Sequence, residues 1–195
     1  MGGMDELEID RVAIIKLTLI QSVIFLAVAL AYAAFMGDAG AIGLNLDRVN
    51  QSIFFGLLLF AGVVPLLYLP RYLGVRNQLE EAIAYNLGTR DILGLNLVVS
   101  CSEELFFRGF LLRVIGVIPS AVIFGVMHYI GYASKLEVAY ALLVGLLLGF
   151  LYQLYLPNIL FPITFHFLAN AFTLLLTRYG IIKGETNGIE TGIQE

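Results

Sequence analysis

Residues 98–110, "VVSCSEELFFRGF", set two glutamates and an arginine inside a stretch otherwise fit for lipid. Near the centre of a membrane helix each such charge is unfavourable, so Glu103, Glu104 and Arg108 together cost roughly 8 to 10 kcal/mol before any pairing. Glu104 and Arg108 are four apart and share a helix face, so an ion pair can neutralise two of the three. Glu103 is left over. It projects about 100 degrees around the helix from Glu104 and must face protein or a wet cavity rather than lipid. A polar network that only locks helix packing is one way to satisfy these groups; a reactive site is the other.

The rest of the chain fixes the setting. With 59% hydrophobic and 13% charged residues in a length of 195 and a mean hydropathy of +0.89, the composition is that of an all-α, polytopic membrane protein with one domain over residues 1–195. Nucleic acid is excluded as a partner; membrane lipids are implied. The single cysteine, Cys101, can form no internal disulfide. The acidic start "MGGMDELEID" lacks the basic region of a cleaved signal, so the first span is expected to be retained.

About six spans are expected, near residues 12–36, 51–70, 91–113, 117–133, 136–156 and 158–178. Pro65 and Pro70 stand where the second can kink or close. Between spans two and three, Leu79, Ile83 and Leu87 recur every four residues and predict an interfacial amphipathic helix. There Glu80 and Glu81 form a second Glu-Glu pair that reads as a solvated face, with Arg76 one turn away. The tail over 180–195 is polar and expected to be flexible. With the N-terminus inside, Arg11, Lys16, Arg71, Arg76, Arg90, Lys135, Arg178 and Lys183 collect on the inner side, against Arg48 and Arg113 outside. That bias predicts a multi-pass protein of the cell membrane with both termini cytoplasmic.

Both histidines of the chain fall inside expected spans. His128 lies in "VIFGVMHYIGY", and His166 in "ITFHFLANAF" with Asn170 four residues on and on the same face. Unpaired polar groups in hydrocarbon cost several kcal/mol each, so these residues and the glutamates are expected to converge on one cavity. A desolvated Glu103 beside His128 can hold and deprotonate a water, and a histidine with an asparagine amide supplies the donors for an oxyanion. The set fits hydrolysis of a carbonyl compound. Carboxylate, imidazole and water could also bind zinc through Glu103, His128 and His166, although the HExxH spacing is absent.

"SEELFFRGFLL", "FGVMH" (124–128) and "HFLAN" (166–170) resemble the EExxxR, FxxxH and HxxxN motifs of the CAAX prenyl protease and bacteriocin-processing family of intramembrane proteases, in the family's order. The resemblance covers about residues 95–175, including the glycine-bearing "VGLLLGFLYQ" between the second and third motifs. It implies that Glu103 is the general base with His128, that His166 and Asn170 stabilise the oxyanion, that Arg108 holds Glu104 as an orienting carboxylate, and that Phe124 positions His128. It implies an endopeptidase acting on a peptide or a protein, prenylated or not. A metal-free glutamate mechanism is the expectation, with zinc as the alternative cofactor.

Two other classes share these residues. A non-catalytic immunity or scaffold protein would use the polar cluster for packing, and a proton-coupled transporter would use it for transport, though the repeated halves common in transporters are not visible. Gly145 and Gly149 form a GxxxG expected to pack helices within the bundle rather than between copies. Cys101, two positions from Glu103, falls on nearly the opposite face and reads as a small packing residue.

Overall fold

The structure, a computed structural model, describes residues 11–67, 78–132, 135–155 and 157–181. The acidic N-terminal segment, the connection holding Pro70, Arg71 and Arg76, and the tail from residue 182 with Lys183 lie outside the described residues, as do the side chains of Leu79, Tyr129 and Tyr132.

Helices α1 (Arg11–Met36) and α2 (Val49–Leu67) are joined by two short 3-10 turns. A short α3 (Gln78–Asn86) precedes α4 (Thr89–Glu104), and α5 (Val117–Tyr132), α6 (Lys135–Leu154) and α7 (Leu160–Arg178) follow. Helix α4 does not stop at Glu104. It widens into a π-helical stretch, Leu105–Leu111, then tightens into a last α turn, Leu112–Ile115. Gly116, at φ +88°, ends the run with a backbone conformation that costs a side-chain-bearing residue energy.

Hydrogen bonds sort the helix ends into two sets. At one end Ile159 N–H donates to the Gly43 carbonyl (2.9 Å), Asn158 Nδ2 to the Asn45 carbonyl (2.8 Å) and Arg113 Nη2 to the Tyr152 hydroxyl (3.2 Å). Gly43, at φ +79°, stands where an added Cβ would overlap that hydroxyl. At the other end Arg11 pairs with Asp91 (2.6 Å) and Thr89 meets the Tyr179 hydroxyl (2.9 Å). There the guanidinium of Arg178 also donates to the carbonyls of Ala84 and Leu87, satisfying groups that the end of α3 leaves without intrahelical partners. Among the described residues, six helical runs therefore pass from one end to the other, and α3 lies at the second end. Its apolar residues Ile83 and Ala84, with Leu87 just beyond it, pack into a core cluster with Ile14, Ile92 and Leu174, so that face is turned into the bundle.

Helix α1 and two further stretches, Leu46–Val63 and Leu160–Arg178, are long and apolar enough to cross a membrane, and Val117–His128 and Val138–Leu154 are shorter apolar helices. Their outer faces carry exposed Leu17, Ile20, Val23, Phe54, Leu58, Val126 and Leu143, the surface expected of an all-α membrane bundle. Helices α5 and α6 pack closely because Gly145 brings the backbone within reach of Ala121 and Phe124, and Gly149 within reach of Val117. Gly56 does the same for α2 against Phe161 and Thr164 of α7. The GxxxG of α6 thus lies inside the bundle.

Candidate active site

Helices α1 and α4 run parallel in matching steps. Arg11 meets Asp91, Gln21 meets Glu103, Phe25 stacks on Phe106 and edges Phe107 (centroids 4.4 and 5.8 Å), and Tyr32 meets Phe110 (5.2 Å). This register holds Glu103 and Glu104 near the middle of the long α4 run, at the start of its π-helical stretch. Such widened turns recur at functional sites because they re-aim side chains that a regular helix would stack.

The two glutamates diverge as their 100-degree separation requires. Glu104 is fully buried and Arg108 is 2% exposed. Oε1 of Glu104 accepts from Arg108 Nη1 at 2.8 Å and from His166 Nδ1 at 2.7 Å. A carboxylate only accepts, so His166 carries a proton on Nδ1 and turns its Nε2 elsewhere. That Nε2 stands 3.8 Å from Oε2 of Glu103. Oε1 of Glu103 accepts from Gln21 Nε2 at 3.0 Å. The other oxygen of Glu104, Oε2, is buried and has no hydrogen-bond partner among the described residues.

Phe124 is the hub of the neighbouring side. Its ring lies 4.3 Å from the His128 ring, 5.0 Å from Phe107 and 6.2 Å from His166, with the Arg108 guanidinium 4.8 Å from its centroid. The Phe124 carbonyl accepts from His128 Nδ1 at 2.8 Å, which in the neutral ring leaves the lone pair on Nε2.

These groups surround one cavity of about 350 Å³, lined by Glu103, Glu104, Phe124, His128, His166 and Asn170 together with Gln21, Thr18, Asn96, Tyr140 and Thr173. Apolar side chains from every side, among them Met127, Val144, Leu148 and Phe165, complete the wall. Arg108 lies behind Glu104 rather than on the wall, so it reaches the cavity only through its partner. Cys101 lines a separate apolar groove with Leu19, Val23, Leu97 and Val98. Five polar wall residues were not singled out from the sequence: Thr18, Gln21, Asn96, Tyr140 and Thr173. Gln21 carried a usable signal, an amide in an otherwise apolar span. Tyr140, whose buried hydroxyl has no partner among the described residues, carried none.

Among the described residues no three His, Cys, Asp or Glu side chains are grouped closely enough to share a metal ion. Glu103, His128 and His166 are not such a group in the geometry described.

Residues 86–172 match the family described as Type II CAAX prenyl endopeptidase Rce1-like. The matched segment carries all three motifs. The match begins at the end of α3 and closes within α7, so it takes in the whole motif-bearing wall and leaves out α1. The chain is also 25% identical over 115 residues to the Uncharacterized protein YpbD of Bacillus subtilis (strain 168), an alignment covering 59% of this chain and 60% of that relative. No solved structure matches.

Proposed function

We propose that the protein is an intramembrane endopeptidase in which Glu103 activates the water that cleaves a peptide bond. The observation that carries this reading is the meeting of Glu103, His128, His166 and Asn170, from three helices, around one cavity within an apolar bundle. The Rce1-like match over the same residues supports it. A water at ordinary hydrogen-bond distance from both Glu103 Oε2 and His166 Nε2, about 2.8 Å, lies at the apex of a near-right angle between atoms 3.8 Å apart.

The chemistry then proceeds without outside reagents. Water oxygen attacks the peptide carbonyl carbon, and its proton passes to Glu103 Oε2. The carbonyl electron pair becomes an oxyanion held by the Asn170 amide and by Nε2–H of His166. Because Nδ1 of His166 already donates to Glu104, the ring must carry both protons to donate from Nε2. The flanking Glu103 and Glu104 carboxylates are the counter-ions for that form. Collapse breaks the C–N bond, and Glu103 returns its proton to the leaving amine. Glu104, held by Arg108, orients His166, and Phe124 orients His128, which with Glu103 holds the water while His166 turns to the oxyanion. No step is routed through a metal.

The apolar wall suits a hydrophobic peptide or protein segment, lipidated or not. The excess of Lys and Arg at the end that holds Arg11 and Arg178 supports a multi-pass protein of the cell membrane with both termini cytoplasmic. An internally quenched peptide offered to the purified protein in liposomes tests the assignment. Glu103→Gln should abolish cleavage while helicity and melting stay those of the wild type. Cleavage by Glu103→Gln at the wild-type rate would falsify Glu103 as the base. Folded, inactive wild type across a broad peptide set would favour the scaffold reading.

A further inference from the structure

We infer that Gln21, on the helix upstream of the family match, is a positioning residue that fixes the carboxylate of Glu103; this rests on the hydrolase reading above. Its Nε2 donates to Glu103 Oε1 at 3.0 Å across 82 residues of sequence, and it lines the same cavity. The bond selects which oxygen is reactive. With Oε1 held by an amide N–H, the lone pairs of Oε2 are the ones presented toward His166 Nε2, 3.8 Å away, where the attacking water would sit. A neutral donor suits this task. Arg or Lys at position 21 would stabilise the Glu103 carboxylate as an ion pair and so weaken it as a base, whereas a neutral amide orients the group with a weaker hold on its charge.

The placement of Gln21 is built rather than incidental. One helical turn on, at the same side of α1, Phe25 is 7% exposed and stacked on Phe106 at 4.4 Å with an interplanar angle of 10°. Phe106 and Phe107 follow Glu103 at the next turn of α4, so the aromatic contact and the amide contact are successive rungs between parallel helices. Ser22, adjacent to Gln21, is 4% exposed and packs at the same seam. A rigid anchor beside a single directional hydrogen bond is what holds a reacting group to within the fraction of an ångström that catalysis needs.

The test pairs kinetics with a readout that does not need turnover. Gln21→Met keeps the length and apolar stem but removes the donor; Gln21→His restores an N–H at similar reach. Gln21→Met should lower kcat about 10- to 100-fold with KM within about twofold, and Gln21→His should recover part of the loss. In parallel, the infrared carboxylate band assigned to Glu103 by its disappearance in Glu103→Gln should shift in Gln21→Met protein. A kcat equal to that of the wild type overturns the inference, whether or not the band moves. So does an unshifted band. If the wild type cleaves nothing yet the band shifts on Gln21→Met, the hydrogen bond stands and the hydrolase reading is what has failed.

Discussion

Arg108→Met is the substitution whose cost the structure lets one work out in advance. Arg108 and Glu104 are 2% and 0% exposed and joined at 2.8 Å. Removing one partner of a buried pair leaves the other uncompensated, a loss of about 3 to 5 kcal/mol. Methionine retains most of the stem volume, so a cavity adds little. The guanidinium also sits 4.8 Å from the Phe124 centroid, a contact worth about 0.5 to 2 kcal/mol. Against these, His166 Nδ1 stays on the same carboxylate oxygen at 2.7 Å and offsets part of the loss. The expected net is about 3 to 5 kcal/mol. Glu104→Gln should cost a similar amount by stranding Arg108. The double variant should cost less than the sum of the two by about 2 to 3 kcal/mol, because neither charge is then left alone. Steric trapping or SDS titration in bicelles measures all three. Two single losses that add to within about 0.5 kcal/mol, or an Arg108→Met loss under about 1 kcal/mol, would show that the pair is not what holds the two helical turns together.

Tyr140→Phe removes a buried hydroxyl that has no partner among the described residues, so folding stability should be unchanged or raised by up to about 1 to 3 kcal/mol. A loss of stability would show that a bound water satisfies the hydroxyl, and the same unfolding assay reads it. Gly149→Ala should destabilise by about 1 to 3 kcal/mol, since its Cβ would stand 2.8 Å from the β-branched Val117 Cγ1, whereas Gly145→Ala meets Phe124 only at 3.3 Å and should cost less. On the proposed mechanism, peptide cleavage in liposomes should survive a chelator, in keeping with the lack of three grouped ligands among the described residues; complete inactivation reversed by zinc and by no other ion would show that the side chains regroup around a metal.

Much of this was legible in the letters because the membrane makes polar residues informative. Against an apolar background, Glu103, Glu104, Arg108, His128, His166 and Asn170 each demanded a reason, and spacings of four told which could share a face. Helix limits followed from the same contrast: the span expected at residues 12–36 is Arg11–Met36, and that at 117–133 is Val117–Tyr132. What escaped were relations between helices. Local spacing carries no information on a contact between Gln21 and Glu103, because the register of α1 on α4 is set by the Phe25 and Phe106 stack. Nor did it reveal the π-helical widening after Glu104, which replaces one α-helical hydrogen-bond pattern by another at little change in sequence preference. The apolar face of α3 was visible, but its destination was not, since Arg178 and Leu174 lie far along the chain.

Glu103 and Glu104 show how two identical neighbours acquire two different surroundings. About 100 degrees of helix rotation separates their side chains, and that angle alone decides which partners each can meet. Glu104 turns to the side where Arg108, one turn on, and His166 of α7 converge, and its Oε1 is taken by two cationic or ring N–H donors. Such a group orients others and is poorly suited to accept a further proton. Glu103 turns toward α1 and the cavity, where the donor that reaches it is a neutral amide. It keeps an oxygen directed at a ring nitrogen too distant for a direct hydrogen bond, a separation a water can bridge. The division of labour proposed for the two carboxylates thus rests on their surroundings. Changing the surroundings should change the roles: with Arg108 lost, Glu104 keeps the His166 Nδ1 contact without its second donor, so the ring is less firmly placed against Glu103. Activity in Arg108→Met should therefore fall further than misfolding alone explains, measured as kcat per folded molecule.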